Sequence, residues 1–539
     1  MVGRTRKIRW THWSQRAGLL LLAFGLACEG SGTGQPGRIV QQASDPRCVP
    51  VGGAYPSGFA LRPGSKATGA VMQFTPKALL AFDLATSPPT LLNQTASPPF
   101  PSDSDGDGRN DLEAFRDAGL CPSFNPNCIA DPKPGQIQAA RDDLTLLTTS
   151  DYEQVMFLRP DTGEPVALPV RNPLDTEAHR AADWPLLPEA GTEAPRTAIS
   201  TQTCIYPEPA LDSKGSPISQ DSLCEGDRPS FRTRFTAATA VSGDFLFVAT
   251  SNLASSAEAR FNPGSVLIYR FETASGSAGV SPYEEKPYIQ TTDFNPTALA
   301  PHTTASGRPL ILITNTGSLL ASGEVLDESS VDVLDVETLQ IVARYPLGRA
   351  AARGSVRIDP SGRIGLLGAE SRRALYGLDL DALEDTALYT RGELSPVDLN
   401  GYSAGFPDAR IFFEDRPLSW PARPDGPPED LCPTRTEVDF SSDGRHAYAT
   451  DWCDGSITVI AIDFTSPEES PFSADRFQIL DRLDWFAPKT PELFGLATAP
   501  SLILGFEAES DASPGQGQSN VAFILNEPEG QLCTARLDY

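Results

Sequence analysis

The sequence predicts an all-β protein, a β-propeller of six to eight four-stranded blades with long inserted loops, seven blades being the central count. Two observations lead there. A pattern of turn glycine, apolar run, second turn and longer apolar run recurs along the chain. The composition is turn-rich, with 44 glycines and 49 prolines in 539 residues, yet 40% hydrophobic, enough for a large core.

The clearest copy of the pattern is Val438 to Asp463. Ser442-Asp443-Gly444-Arg445 is turn chemistry, with glycine where the backbone needs positive φ. An apolar run follows, then a second turn at Asp454-Gly455 and the run Ile457 to Ile462, apolar on both faces. A strand sandwiched between neighbouring blades needs that composition. Further copies begin at Val241 to Thr250 with Gly264 to Arg270, at Ser306 to Asn315 with Ser330 to Val336, and at Ile358 to Gly368 with Ala374 to Leu380. A weaker copy is Ser519 to Leu525 followed by Gly530 to Leu537. The turn glycines at 243, 307, 362, 444 and 517 stand 55 to 82 residues apart, whereas a blade takes roughly 40 to 50 residues. Proline-rich connections such as Glu393 to Pro433 take up the surplus, and a degenerate blade is expected around Ile411-Phe-Phe413. Earlier strands are read at Ala78 to Leu84, and as a pair at Glu153 to Leu158 and Pro165 to Val170.

Gly444-Arg-His-Ala-Tyr-Ala-Thr-Asp451 with Ile457-Thr-Val-Ile-Ala-Ile-Asp463 resembles the repeat of YVTN-type surface β-propellers, over roughly residues 235 to 537. The resemblance implies a cell-surface interaction module; relatives of the fold include lactonases and cofactor-dependent dehydrogenases.

Residues 1–27 read as a signal peptide, with basic Arg4, Arg6, Lys7, Arg9 and Arg16 ahead of the apolar run Ala17 to Leu26. That run is ten residues long, half of what a membrane-spanning helix needs. It ends in Gly25-Leu26-Ala27-Cys28, which resembles the lipobox of bacterial lipoproteins, with Gly25 where that family usually has leucine. The resemblance implies lipidation of Cys28 and a membrane anchor; cleavage without lipidation is the competing reading. Residues 28–45 form a flexible tether rich in glycine, and residues 46–539 the propeller. The expected location is the bacterial cell envelope, extracytoplasmic, facing the periplasm or the outside.

Nine cysteines less Cys28 leave eight, an even number suited to an oxidising compartment. Proximity suggests Cys121 with Cys128, Cys204 with Cys224 and Cys432 with Cys453, leaving Cys48 and Cys533 at opposite ends of the mature chain. A closed ring brings such ends together. The sequence alone leaves the pairing open, since eight cysteines combine in about a hundred ways.

Within an inserted segment, residues 100–130, the stretch Asp103-Ser-Asp105-Gly-Asp107-Gly-Arg-Asn-Asp111-Leu-Glu113 places carboxylates at alternate positions around a glycine. Hard oxygen donors so spaced converge on one calcium ion. The stretch resembles the calcium loops of bacterial thrombospondin type 3-like repeats and the first half of an EF-hand, except that Ala114 stands at the closing position and the acid, Glu113, one place earlier. A calcium ion held by Asp103, Asp105, Asp107, Asp111 and Glu113 would be structural; a solvated acidic loop is the alternative. A second insertion, residues 171–230, reads as a long loop closed by Cys204 and Cys224.

The formal charge of −27 disfavours nucleic acid and anionic bilayers as partners. Gly401-Tyr-Ser403-Ala-Gly405, with Asp439 and His446 behind it, matches the G-x-S-x-G pattern of α/β-hydrolases in letters only: no buried strand precedes it, and Pro407 interrupts the helix that should follow. Of the other histidines, His12 lies in the signal segment, and His179 and His302 stand in no metal-ligand spacing. Asp332, Asp335, Asp379, Asp439, Asp443, Asp451 and Asp463 recur at strand ends or turns, where capping is expected. Two functions follow. The preferred one is a lipid-anchored module that binds a protein or carbohydrate partner or builds the envelope; the other is a lactonase-like hydrolase holding a divalent ion in the propeller channel.

Overall fold

The chain is a β-propeller, seen in a computed structural model that describes the backbone of the strands named below and, with their side chains, most of residues 134–172, 191–272, 279–318, 327–385 and 437–462. Among the described residues the helical content is one 3₁₀ turn, Asp381–Glu384.

Four-stranded antiparallel meanders follow one another along the chain. The first comprises Ala54–Leu61, Thr68–Thr75, Lys77–Asp83 and Thr90–Ala96. The second comprises Pro134–Arg141, Leu144–Thr149, Gln154–Leu158 and Ala198–Ser200. The third is built on Thr236–Ser242, Phe245–Thr250, Pro263–Glu272 and Tyr288–Phe294. Pro296–Thr303, Pro309–Asn315, Ser329–Asp335 and Gln340–Gly348 make the fourth. The fifth is Arg357–Ile358, Ile364–Gly368, Ala374–Asp379 and Arg410–Phe412. The sixth is Val438–Phe440, His446–Asp451, Ser456–Ile462 and Phe477–Leu483. Pro500–Ile503, Asn520–Asn526 and Gln531–Asp538 form the last, completed by Cys48–Pro50 from the other end of the chain.

The sequence places a degenerate blade around Ile411; Arg410–Phe412 is instead the fourth strand of the fifth sheet, opposite Ala374–Tyr376. A long connection separates the two strands in sequence, which hid the pairing.

Why these segments are strands is visible in the fourth sheet. Leu310, Ile311, Leu312 and Ile313 are all fully buried. Leu310 and Leu312 pack with Val331, Val333, Tyr376 and Leu378 towards the fifth sheet. Ile311 and Ile313 pack with Phe247, Val266 and Ile268 towards the third. A strand covered on both sides favours an unbroken apolar run. Each such side chain contributes about 1.5–3 kcal/mol as an upper estimate. Turns before the corresponding strands of the fifth and sixth sheets demand glycine: Gly362 and Gly444 have φ of +75° and +69°, where a side chain would be strained.

The third sheet departs from the pattern. Pro263–Glu272 pairs with Tyr288–Phe294 at one end and with Gly279–Pro282 at the other. Leu168–Asn172 then adds in parallel, Val170 opposite Val280, and Thr192–Arg196 pairs beyond it. The early apolar runs, read as one pair, therefore belong to different sheets: Gln154–Leu158 to the second and Leu168–Asn172 to the extension of the third. Glu193 and Pro195 on the outermost strand discourage further pairing. The 171–230 segment is likewise not loop throughout, since it supplies Thr192–Arg196, Ala198–Ser200 and Cys204–Ile205.

Candidate functional site

The acidic residues singled out in the repeats divide by position. Three are turn caps: Asp335 accepts Thr338 N at 2.8 Å and pairs with Arg308; Asp379 accepts Ala382 N at 3.3 Å; Asp443 accepts Ser441 Oγ at 2.6 Å and Arg445 N at 3.0 Å. Asp439 lies within the strand Val438–Phe440 and accepts Phe440 N at 2.9 Å. Burial raises the Asp379 carboxyl above its ordinary value. Asp451 ends a strand opposite Ser456, while its side chain and Asp463 lie outside the described residues. A cap not singled out from sequence is Asp359, which accepts Arg363 N at 2.7 Å and Ile364 N at 2.6 Å. Its position five residues before an apolar run, in Asp-Pro-Ser-Gly, was the available signal.

Asp332 sits mid-strand, fully buried, between the third and fourth sheets. Its Oδ2 accepts Thr292 N at 2.8 Å and Asn315 Nδ2 at 2.9 Å, and its Oδ1 bonds to Thr292 Oγ1. Burial pushes its pKa up to about 6, with the hydrogen bonds opposing and the Asp293 carboxylate adding to the rise. Asp293 itself pairs with Arg344 at 2.5 Å. The buried Asn315 Oδ1 meets no hydrogen-bond donor among the described residues.

The histidines lie in turns and strands. His302 is 6% exposed, and burial lowers its pKa against the pull of Glu384, Asp359 and Asp381. His446 opens its strand with N bonded to Ser441 Oγ at 3.0 Å, and burial lowers its pKa as well. Among the described residues no group of three His, Cys, Asp or Glu side chains is placed to share a metal ion.

The second feature is the insertion between the second and third sheets. Cys204 and Cys224 are disulfide-bonded, with Cα atoms 5.8 Å apart, and Cys204–Ile205 pairs with Phe231–Arg232. Asp212 shapes the tip by accepting Lys214 N at 2.9 Å and Ser216 N at 2.8 Å through one oxygen. Arg260 stands 3.7 Å from the other. Ser213 N donates to Phe261 O, and Phe261 N to Ser213 Oγ at 3.0 Å, so the tip is tied to the hairpin Leu253–Ser255 and Arg260–Phe261. Along its flank Tyr206 N donates to Tyr288 Oη and Glu208 N to Gln290 Oε1, both on the outer strand of the third sheet. Arg228 lies 4.7 Å over the Tyr206 ring. Lys214, Gly215, Ser216, Pro217 and Leu211 remain exposed.

No family model and no curated protein matches the sequence. Solved structures do match in fold. Kuenenia stuttgartiensis hydrazine synthase is 10% identical, with 90% of this chain and 97% of that one covered and a TM-score of 0.44. The β-propeller domain of Myceliophthora thermophila Cps50 (Swd1) is 9% identical, covering 94% and 100%, with a TM-score of 0.38. The periplasmic gluconolactonase PpgL of Pseudomonas aeruginosa is 19% identical, covering 62% and 77%, with a TM-score of 0.32. At these values the similarity is one of fold.

Of the other residues picked out from sequence, Cys48 and Cys533 face each other as register partners. Cys28, Asp103, Asp105, Asp107, Asp111, Glu113, Cys121, Cys128, His179, Ser403, Cys432 and Cys453 lie outside the described residues. No described helix is long and apolar enough to cross a membrane.

Proposed function

We propose that this chain is an exported binding module of a bacterial envelope: a seven-bladed propeller, lipid-anchored through Cys28, that engages a protein or carbohydrate partner with its 204–232 insertion. The observation that carries the reading is the order built into that insertion. A disulfide, an aspartate-centred turn, an ion pair and backbone bonds to two neighbouring segments hold a loop whose tip is exposed. Ordering a solvent-facing loop costs about 1–2 kcal/mol per residue in backbone entropy. Binding residues gather on loops held rigid by a scaffold, where that cost has been met before the partner arrives. The signal segment, the tether and the even cysteine count support export, and the acidic loop at 103–113 supports a structural calcium ion in the earlier insertion.

The test compares two tagged mature proteins in pull-downs from cross-linked envelopes: the intact chain, and one with residues 208–220 replaced by a short glycine-serine linker. Partners captured by the intact chain and lost from the variant support the reading. Identical captures, or none specific to the intact chain, overturn it.

A further inference from the structure

The third and fourth sheets are joined by a polar clasp beside the apolar contacts of their seam. Thr292, on the outer strand of the third sheet, reaches Asp332 in the fourth with both its backbone N and its hydroxyl. We infer that in mildly acidic surroundings the folded chain keeps a proton on Asp332, which donates it in a hydrogen bond to Thr292 Oγ1, so that this seam holds most firmly there and loosens as the pH rises.

The geometry allows the proton without moving a heavy atom. Oδ2 accepts both N–H donors, from Thr292 at 2.8 Å and Asn315 at 2.9 Å. Oδ1 has the Thr292 hydroxyl as its partner, and a hydroxyl can accept as readily as donate. Protonation at Oδ1 reverses that one bond and leaves the other two intact. An ionised Asp332, by contrast, is a fully buried charge, which is costly without a partner of opposite sign. The charged side chains facing it are Asp293, on the Thr292 strand, and Arg344, its register partner in the fourth sheet. These two pair with each other at 2.5 Å, so the seam already holds a balanced ion pair into which a second carboxylate brings net negative charge. The strand Pro309–Asn315, on its other side, contributes no charged residue.

The sign follows from the direction of the shift. The folded-state value of about 6 lies above the ordinary 3.8. The stabilising effect of the bound proton is therefore complete below pH 3.8, declines between the two values, and is gone above about pH 6. The difference of about two pH units corresponds to roughly a hundredfold in the folding equilibrium.

Asp332→Asn tests the idea, because an amide mimics the neutral acid: its oxygen can accept both N–H donors and its NH₂ can donate to Thr292 Oγ1. Thermal unfolding midpoints of wild type and D332N are measured from pH 4 to pH 7.5. The expected result is that the midpoint of D332N relative to wild type rises across pH 4 to 6 and then levels. A difference that stays constant, or that falls, overturns the proposal. A readout that needs no variant is hydrogen exchange of the peptide covering 288–294 in the wild-type protein, corrected for the intrinsic rate. Slower corrected exchange at pH 5 than at pH 7.5 supports the inference, and equal protection at the two values overturns it.

Discussion

Cys48 and Cys533 oppose each other directly, at the same register position of two antiparallel strands drawn from the two ends of the chain. Val49 and Pro50 continue the pairing with Leu532 and Gln531, so the last sheet takes a strand from each end. Directly opposed residues in an antiparallel pair have Cα atoms about 4.5–5.5 Å apart, within the range a disulfide bridges. We expect a Cys48–Cys533 bond. Peptide mapping under non-reducing conditions with free thiols blocked should recover the two peptides linked; finding Cys48 free, or joined to Cys432, rejects it. In the entropy model a loop of this length contributes up to about 5 kcal/mol, so C48A/C533A should unfold at a clearly lower temperature.

Gly264 is fixed by close approach. A Cβ there would stand 2.3 Å from Thr291 Oγ1 and 2.4 Å from Pro296 Cδ, where the third sheet hands the chain to the fourth. Neither the proline ring nor the backbone that carries it can yield. Gly264→Ala should therefore cost about 1–3 kcal/mol by overpacking, measured as a lower denaturation midpoint with an unchanged m-value.

Calcium should bind the mature chain through Asp103, Asp105, Asp107, Asp111 and Glu113. Carboxylates at this spacing repel one another until a cation neutralises them. Calorimetry should register uptake by the mature protein and its loss in D105A/D107A; unchanged heats in the double variant would remove calcium from the description.

Lipidation at Cys28 should send the wild-type protein into the detergent phase on phase separation, while Cys28→Ala stays in the aqueous phase. Equal partitioning of the two would leave cleavage without lipidation as the better reading of Gly25-Leu26-Ala27-Cys28.

The strands were legible where burial on both faces forces an unbroken apolar run, as in Leu310-Ile-Leu-Ile313. Turn glycines such as Gly362 were legible because positive φ excludes most other residues. Pairings across long connections were not: nothing in Arg410-Ile411-Phe412 states that its partner is Ala374–Tyr376, since period and composition carry no information about distance along the chain. The extension of the third sheet was hidden for the same reason, Val170 meeting Val280 across 110 residues. The repeat pattern assigns Asp332 the same capping role as its neighbour Asp335, whereas the residue lies mid-strand. Its alternation with Val331 and Val333 showed that it points away from them, and only the position of Thr292 decides that this direction is inward.

The chain from Thr192 to Ser200 serves two sheets in succession. Thr192–Arg196 pairs with Leu168–Asn172 in the extension of the third, and Ala198–Ser200 pairs with Gln154–Met156 in the second. What looks in sequence like a cassette between two repeats is thus also a component of the repeat before it. Excising 171–230 to obtain a smaller protein would strip the second sheet of its outer strand and bare Val155 and Phe157, which are fully covered in the whole chain. Trimming confined to residues C-terminal to Ser200 keeps the second sheet whole, and removing the tip at 208–220 leaves the strands of both sheets in place while taking away the surface proposed to meet the partner.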